Sequence, residues 1–171
     1  WQFHAFNGSS KWEGKQFGSL RAVFSVHNEP FQIWARKKAK VKDFAGLKGK
    51  TVNIGNPGSG QRGTMEVLME AMGVDNSYFK GVTELTSSEQ VKALCDGKID
   101  AYGYSVGFPN GAMEQAATCA AKALPINLTG GPVQGLIDGA PYYAAATIPK
   151  GTYTGQKKDV TTFGVKATVV T

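Results

Sequence analysis

The stretch that most constrains the fold is residues 51–73, TVNIGNPGSGQRGTMEVLMEAMG. It predicts a buried strand over Thr51–Gly55, a glycine-rich turn over Asn56–Gly60 and a helix from Gln61 to about Met72. Apolar residues recur in that helix at i, i+3, i+4 and i+7, which forms one stripe facing a sheet. The stripe consists of Met65, Leu68, Met69 and Met72. Gly73 is a typical helix stop.

The glycine-rich turn predicts an anion-binding site at the start of the helix. The first N–H groups of a helix have no partner inside it, and the helix dipole is positive at this end. Glycines at positions 55, 58, 60 and 63 let the main chain approach a ligand without an intervening Cβ. Arg62 adds a guanidinium that can form two hydrogen bonds to a carboxylate, although a surface arginine is an equal alternative. We therefore predict that this turn binds a carboxylate.

Two nucleotide-binding motifs overlap with the same turn. Gly55 and Gly60 have the P-loop spacing, but the Lys and the Ser/Thr that should follow Gly60 are absent. GSGQRG at residues 58–63 matches G-x-G-x-x-G, and Glu84 stands near the position of a ribose-binding acid. In the dinucleotide fingerprint the glycines begin at the end of the strand, whereas here two residues intervene. A nucleotide-cofactor-binding enzyme domain is thus the alternative function, and a tight turn that merely needs glycine is the structural alternative.

Composition limits the class of protein. A chain of 171 residues, 42% of them hydrophobic, can form one domain with a sizeable core. No apolar run reaches the roughly 18 residues that a membrane-spanning helix needs. The formal net charge of +6 favours attraction of anions and says nothing about the fold. Because the sequence opens at Trp1 on aromatic-rich residues and without a signal peptide, we expect it to begin inside a longer protein.

Residues 36–50 are rich in lysine and arginine and contain a single acid, Asp43. Such a stretch can be a nucleic-acid footprint, but neither interleaved aromatic residues nor a repeat supports that interpretation. We predict a solvated charged face and no nucleic-acid binding. Asp43 is predicted to cap a short helix over Phe44–Leu47, which leads into the strand at Thr51.

The remaining chain alternates strands and helices. Residues 1–19 predict mainly loop, and two strands, Leu20–His27 and Phe31–Arg36, are predicted to flank a turn at residues 28–30. Later strands are predicted at Val82–Leu85, Ile99–Ser105, Leu124–Asn127, Ala145–Pro149 and Phe163–Thr171. Three later helices are predicted. The first starts at a capping box of Thr86 and Glu89. The second buries Met113, Ala116, Ala117 and Ala120, and the third is capped by Thr129. This alternation predicts an α/β fold with a mostly parallel, doubly wound sheet.

The predicted topology brings the two cysteines together. Right-handed crossovers place a helix on one face when the chain steps one way and on the other face when it reverses. In a strand order of 2-1-3, counted from Thr51, the second and third helices lie side by side on one face. Cys95 and Cys119 stand at the C-terminal ends of these helices, so we predict a disulfide and an oxidising compartment. Two buried thiols in a reducing cell are the alternative.

Side chains typical of catalysis are poorly represented. His4 and His27 lie far apart, and neither has a partner at metal-ligand spacing, so no metal site is predicted. Carboxylate pairs such as Glu66 and Glu70 are typical of an exposed helix face. Neither a hydrolase nucleophile elbow nor an HExxH motif is present. We predict a binding protein without a cofactor and without enzymatic activity.

Two turns at the carboxyl ends of neighbouring strands are predicted to line one crevice. They are residues 55–62 and 105–111, and ligands of open α/β sheets bind where the strand order reverses. The predicted ligand-binding residues are Asn56, Gly58, Ser59, Gly60, Gln61, Arg62, Ser105, Gly107, Phe108, Asn110 and Tyr142. Tyr142 and Tyr143 are expected to close the far side, with aromatic core packing as an equal alternative.

Three segments resemble one known family. They are DFAGLKGKTVNIGNPGSGQRGTMEVLMEAMG, SSEQVKALCDGKIDAYGYSVGFPNGAMEQAATC and PYYAAATIPKGTYTGQKKDVTTFGVKATVVT. Over roughly residues 20–171 the chain is similar to TAXI-family solute receptors of tripartite ATP-independent periplasmic (TRAP) transporters. The resemblance implies a type II periplasmic binding-protein fold, whose two α/β lobes close on a small organic anion such as glutamate or 2-oxoglutarate. It also implies a periplasmic location and delivery of the solute to TRAP permease membrane subunits.

The resemblance further predicts how the chain is divided. Members of that family are longer, so we expect a fragment of one. Residues 1–43 are predicted to be a first-lobe remnant and hinge strand, residues 44–150 a complete second lobe, and residues 151–171 a returning hinge strand. Half of a clamp leaves one face of a ligand in water, so we expect weak binding or none. Exposed edges and apolar faces of the hinge strands are expected to favour self-association.

Overall fold

A computed structural model describes all of residues 1–171 and contains one seven-stranded sheet with helices on both faces. The strands are β1 Ala22–Ala35, β2 Thr51–Asn53, β3 Gly81–Thr83, β4 Ala101–Ser105, β5 Leu124–Pro125, β6 Ala144–Ile148 and β7 Val160–Val170. The helices are α1 Gln2–Asn7, α2 Gly60–Ala71, α3 Ser87–Cys95, α4 Gly111–Thr118 and α5 Gly131–Gly139. No helix is long and apolar enough to span a membrane.

The sheet is mixed. Its order is β3-β2-β4-β1-β7-β6, and β5 pairs with β1 beside this path. Strand β2 pairs in parallel with both β3 and β4, which is the predicted order 2-1-3. The pairings of β1 with β4, β5 and β7, and of β6 with β7, are antiparallel. The predicted α/β class is confirmed, and parallel pairing is confined to β2, β3 and β4, which form one end of the sheet.

Two hydrophobic cores lie on opposite faces of the sheet. The core that contains the buried side of α2 also holds Phe31 and Ile33 of β1. The core beneath α3 and α4 holds Trp34 of β1 and Tyr102 of β4. Because successive side chains of a strand point to opposite faces, β1 supplies both cores from consecutive residues. Helices α3 and α4 therefore share a face, and α2 lies on the other.

Helix α2 has the predicted buried stripe. Met65 and Leu68 are fully buried and Met69 nearly so. The helix ends in a Schellman motif, in which the N–H of Gly73 donates to Glu70 O at 2.9 Å and the N–H of Val74 donates to Met69 O at 3.0 Å. Gly73 has φ 66°, a left-handed conformation that glycine adopts at little cost, so the predicted stop is confirmed.

The predicted turn at residues 28–30 is wrong, because β1 runs through it without interruption. Residues 22–30 of β1 pair with β7, and residues 31–35 pair with β4. Pro30 lies where the strand changes partner, and its carbonyl accepts from Val106 N at 3.3 Å. Proline has no N–H, so it is tolerated in a strand at positions where the neighbouring strand needs no donor. The Asn-Glu-Pro sequence is typical of a turn locally, but strand pairing over the whole of β1 outweighs that preference.

Two predicted helix caps are confirmed. Asp43 Oδ1 accepts from Gly46 N at 3.0 Å at the start of a 3₁₀ turn over Phe44–Leu47. Thr86 and Glu89 form the reciprocal capping box at the start of α3. These side chains satisfy N–H groups that the helices themselves cannot.

Two details of the later helices were predicted wrongly. Gly130, and not Thr129, precedes α5, with φ 105° that only glycine adopts readily. Helix α4 ends at Thr118 because the next residue is extended, so Ala120 lies outside the helix and is exposed.

The predicted disulfide is present. Cys95 is the last residue of α3 and Cys119 directly follows α4, and their Cα atoms are 5.8 Å apart. No cysteine is left free. The bond cross-links the two helices that share one face of the sheet.

Candidate functional site

The first turn, residues 55–63, has a capped helix start. Ser59 Oγ accepts from Arg62 N at 3.2 Å and donates to Asn56 O at 2.8 Å. The N–H groups of Gly60 and Gln61 donate to no acceptor within the protein. The turn therefore presents two unpaired amides at the positive end of the α2 dipole.

The N-terminal segment, residues 1–12, covers this turn. The Trp1 indole lies 3.2 Å from the position that a Cβ would take at Gly60 and 2.9 Å from the corresponding position at Gly63. A side chain at either glycine would meet the indole ring. The two glycines thus make room for a tryptophan of the same chain, a role that the sequence did not reveal.

Lys11 brings a positive charge to the same place. Its ammonium donates to Gly58 O at 3.3 Å and lies 4.2 Å and 4.5 Å from the ring centroids of Trp1 and Trp12. These distances are within the range of cation–π attraction. No carboxylate lies within ion-pair distance of Lys11. Its charge is therefore balanced only by ring faces and a carbonyl.

Arg62 is already paired. Its Nε donates to Glu66 Oε1 at 2.6 Å and its Nη1 donates to Glu84 Oε1 at 2.6 Å. The Glu84 hydrogen bond is the largest of the contributions that raise the pKa of Arg62. A ligand carboxylate has to displace a protein carboxylate to reach this guanidinium. Glu84, which stands near the position of a ribose-binding acid, is held by the same contact.

Gln61 points into the protein. Its side chain is 5% exposed, and its Nε2 donates to Gln90 Oε1 at 3.1 Å. Its Cγ lies 2.4 Å from the position of a Cβ at Gly55, so that glycine leaves room for the glutamine. Gln61 offers a ligand its backbone N–H and not its side-chain amide.

Asn53 organises the buried floor beneath the first turn. Its Oδ1 accepts from Leu85 N at 2.7 Å, and its Nδ2 donates to Gln90 Oε1 at 3.1 Å. Because the Leu85 N–H is a donor, the oxygen of the Asn53 amide must face it. The Asn53 Nδ2 then faces Gln90, so the oxygen of the Gln90 amide must face Asn53. Gln90 is fully buried and its Nε2 has no partner. The network joins β2, α2 and α3 behind the turn.

The second turn, residues 105–111, borders an open cavity of about 440 Å³. Asn110 caps α4, because its Oδ1 accepts from Ala112 N at 2.9 Å and from Met113 N at 3.4 Å. The cavity is lined by His27, Asn28, Glu29, Val106, Gly107, Phe108, Pro109 and Asn110. Ser105 ends β4 and does not line it.

The two turns do not share this cavity. Both follow parallel strands that neighbour each other, β2 and β4, but no residue of the first turn lines the cavity. The cavity lies between the second turn and β1, which pairs with the opposite edge of β4 from β2. The sequence correctly placed both turns at the carboxyl ends of neighbouring strands. It could not show which other segment of the chain faces each turn.

Tyr142 contacts the N-terminal segment. Its hydroxyl lies 3.3 Å from His4 Nε2, and its ring centroid lies 5.0 Å from that of Phe3. Tyr143 packs edge-on against Phe163, and burial raises the pKa of its hydroxyl. Sequence reasoning missed the part played by residues 1–12, for which the density of aromatic residues was the available signal.

No group of three His, Cys, Asp or Glu side chains is arranged to hold a metal ion.

Several solved structures are similar to this chain. The alkanesulfonate-binding protein SsuA from Xanthomonas axonopodis pv. citri, bound to MOPS, is 21% identical with a TM-score of 0.46, over 63% of this chain and 35% of that one. An amino acid ABC transporter substrate-binding protein from Streptococcus pneumoniae, bound to L-arginine, is 15% identical with a TM-score of 0.45, over 86% of this chain and 48% of that one. The CcmR regulatory domain of Synechocystis PCC6803, in complex with 2-PG, is 18% identical with a TM-score of 0.48, over 67% of this chain and 53% of that one.

The chain spans from 35% to 53% of the length of these three proteins. A match to one protein family, in contrast, extends over the whole of residues 1–171. On that match, the chain belongs to the NMT1-like family.

Proposed function

We propose that this chain is the ligand-binding part of a periplasmic solute receptor that binds a small carboxylate and delivers it to TRAP permease membrane subunits. The observation that carries the proposal is the NMT1-like family match over residues 1–171. The similarity of three segments to TAXI-family receptors supports the transporter type. In this proposal residues 44–150 are one lobe of a type II periplasmic binding-protein fold, and residues 1–43 and 151–171 supply hinge strands. The protein is proposed to have no enzymatic activity.

The first turn supports a carboxylate as the ligand. The unpaired amides of Gly60 and Gln61 stand at a helix start, where a negative charge is favoured. Lys11 is the cation at this turn that has no carboxylate partner, whereas Arg62 has two. We therefore propose that the amides and Lys11 hold the carboxylate, and that Trp1 moves aside or forms one wall of the site. Asn56, Gly58 and Ser59 shape the backbone around the amides.

Calorimetric titration with L-glutamate and 2-oxoglutarate tests this proposal. We expect weak binding of at least one of them, because one lobe encloses only part of a ligand. Lys11→Gln should weaken that binding about fivefold, which is the upper end for the loss of one exposed ion pair. Lys15→Gln is the matched control, since Lys15 is also exposed and forms no ion pair. Binding of NAD in the absence of any carboxylate binding would contradict the proposal.

The alternative, a nucleotide-cofactor-binding enzyme domain, fits the contacts less well. The second and third glycines of the G-x-G-x-x-G match, Gly60 and Gly63, lie against Trp1. Glu84 is paired with Arg62. The motif residues are thus engaged in contacts within the chain, and we do not favour this function.

We further propose that a second copy of this chain pairs with an apolar ribbon formed by the first half of β1 and the last half of β7. Residues 22–28 are all exposed, and the ribbon pairs only with itself. Its large apolar side chains are at least 39% exposed; they are Val23, Phe24, Val26, Val169 and Val170. Light scattering after gel filtration should show a dimer that Val26→Lys dissociates. A monomer at every concentration would contradict this.

A further inference from the structure

The cavity beside the second turn has a different charge from the rest of the protein. The chain carries a formal net charge of +6, yet no lysine or arginine lines this cavity. Its one carboxylate is that of Glu29, and its one other titratable side chain is His27. The lining is therefore neutral or negative, which disfavours an anion and favours a cation.

His27 is the basic side chain that contacts the Glu29 carboxylate. Its Oε1 lies 3.4 Å from His27 Nε2, and the Glu29 and His27 side chains are 33% and 52% exposed. No lysine or arginine lies within ion-pair distance of this carboxylate. The nearest basic residue on the paired strand, Lys166, stands opposite Asn28, whereas Glu29 stands opposite Val165. Since residues opposite each other share a face, Lys166 lies on the other face from Glu29.

Val106, Phe108 and Pro109 form the apolar part of the lining. Asn110 Oδ1 already accepts the N–H groups of Ala112 and Met113, so these two donors are occupied. Val106 and Phe108 are half-buried against the core beneath α4, and the surface they leave exposed lines the cavity together with Pro109.

Gly107 keeps the cavity open next to β1. A Cβ at this position would lie 2.9 Å from His27 Cδ2 and 3.6 Å from Asn28 O. The absence of a side chain allows β1 and the second turn to approach each other while leaving the Glu29 carboxylate accessible. His27 and Glu29 of β1, which the carboxylate prediction did not use, therefore lie beside the second turn.

We propose that this cavity binds an organic ammonium group with a short apolar chain. The ammonium pairs with the Glu29 carboxylate, and the chain packs on Val106, Phe108 and Pro109. This site is distinct from the carboxylate site proposed at the first turn and does not depend on it.

Nuclear magnetic resonance titration of the full chain with n-butylammonium tests the proposal, with butyrate as a probe of the same shape and opposite charge. We expect n-butylammonium to shift the backbone resonances of residues 27–29 and 106–110 in a saturable manner, and butyrate to leave them unchanged. High salt should weaken the binding, since ion pairing at an open site is screened. Equal shifts with both probes would overturn the proposal, and so would the absence of shifts with n-butylammonium. Neither result depends on a variant.

Glu29→Gln should reduce the affinity for n-butylammonium by up to about fivefold, because an amide keeps the shape of the carboxylate and removes its charge. Glu13→Gln is the matched control, since Glu13 is exposed and forms no ion pair. An unchanged affinity in Glu29→Gln would overturn the proposal.

The outcomes also separate this site from the proposed function. Lys11→Gln should not change n-butylammonium binding. If n-butylammonium binds and neither L-glutamate nor 2-oxoglutarate does, the ammonium site stands and the carboxylate proposal fails. If the carboxylates bind and n-butylammonium does not, the reverse holds.

Discussion

The two glycine-containing turns of this protein begin alike and end in different surroundings. Each follows one of two neighbouring parallel strands, and each starts a helix at which a side chain accepts backbone N–H groups. Ser59 Oγ accepts from Arg62, and Asn110 Oδ1 accepts from Ala112 and Met113. The first turn is covered by Trp1 and Lys11. The second faces an open cavity that contains Glu29.

The difference teaches that a turn motif defines the backbone and not the chemistry around it. The surroundings of each turn come from residues far away in sequence, the N-terminal segment in one case and β1 in the other. The two turns are also held differently. A disulfide joins α4, which follows the second turn, to α3, whereas a buried amide network supports the first turn.

The largest effect should come from the covalent support of the second turn. Replacing both Cys95 and Cys119 by alanine should lower the free energy of unfolding by about 3 kcal/mol, because the unfolded chain regains the entropy of an open loop. Urea denaturation measures this. The wild-type protein in reductant is the control, and it should show a similar loss. An unchanged midpoint in both samples would mean that the bond does not constrain the unfolded chain.

The next effect should come from the amide network beneath the first turn. Asn53→Ala leaves the Leu85 N–H without its acceptor and deprives Gln90 Oε1 of one donor, which should cost about 2 kcal/mol. Asn127→Ala is the control, because the Asn127 side chain also accepts a backbone N–H, from Thr161, but is exposed. It should cost less than about 1 kcal/mol. Equal losses would show that burial of the network does not matter.

A smaller effect should distinguish the covered turn from the open one. Gly63→Ala places a methyl group against the Trp1 ring, whereas Gly111→Ala meets nothing within 4 Å. The gain in helix propensity at Gly63, up to about 1 kcal/mol, should largely offset the lost contact with Trp1. The indole N–H resonance of Trp1 should shift in Gly63→Ala alone. The same resonance position in both variants would show that the indole does not rest on Gly63.

The smallest effect concerns acid stability beside the second turn. Glu114 of α4 accepts hydrogen bonds from the hydroxyl and the N–H of Thr154, and these bonds hold the pKa of the Glu114 carboxyl below its ordinary 4.5. A lowered pKa in the folded state contributes stability that is present above the unfolded pKa and is lost as pH falls through the folded pKa. Glu114→Gln should therefore flatten the decline of stability below about pH 4.5. Unfolding curves measured from pH 6 downward, in roughly half-unit steps, check this; identical slopes would contradict it.

Much of the fold was predictable because its signals are local or follow from simple topology. The spacing of Met65 and Leu68 predicted the buried face of α2, and Asp43 predicted a cap. The disulfide was predictable because crossover handedness and strand order together place α3 and α4 on one face. The continuity of β1 was not predictable, because a turn-like tripeptide is judged from three residues whereas a strand is stabilised by partners far away in sequence.

The candidate site divides in the same way. The sequence by itself determined that a glycine-rich turn caps α2 and that a second turn starts α4 from the neighbouring strand, because caps and glycine conformations depend on adjacent residues. Only the tertiary structure decided that Arg62 is paired with Glu66 and Glu84, that Gln61 is buried, and that Trp1 lies on the first turn. Such contacts join residues up to tens of positions apart, and their free energies depend on which surfaces the completed sheet brings within a few ångströms of each other.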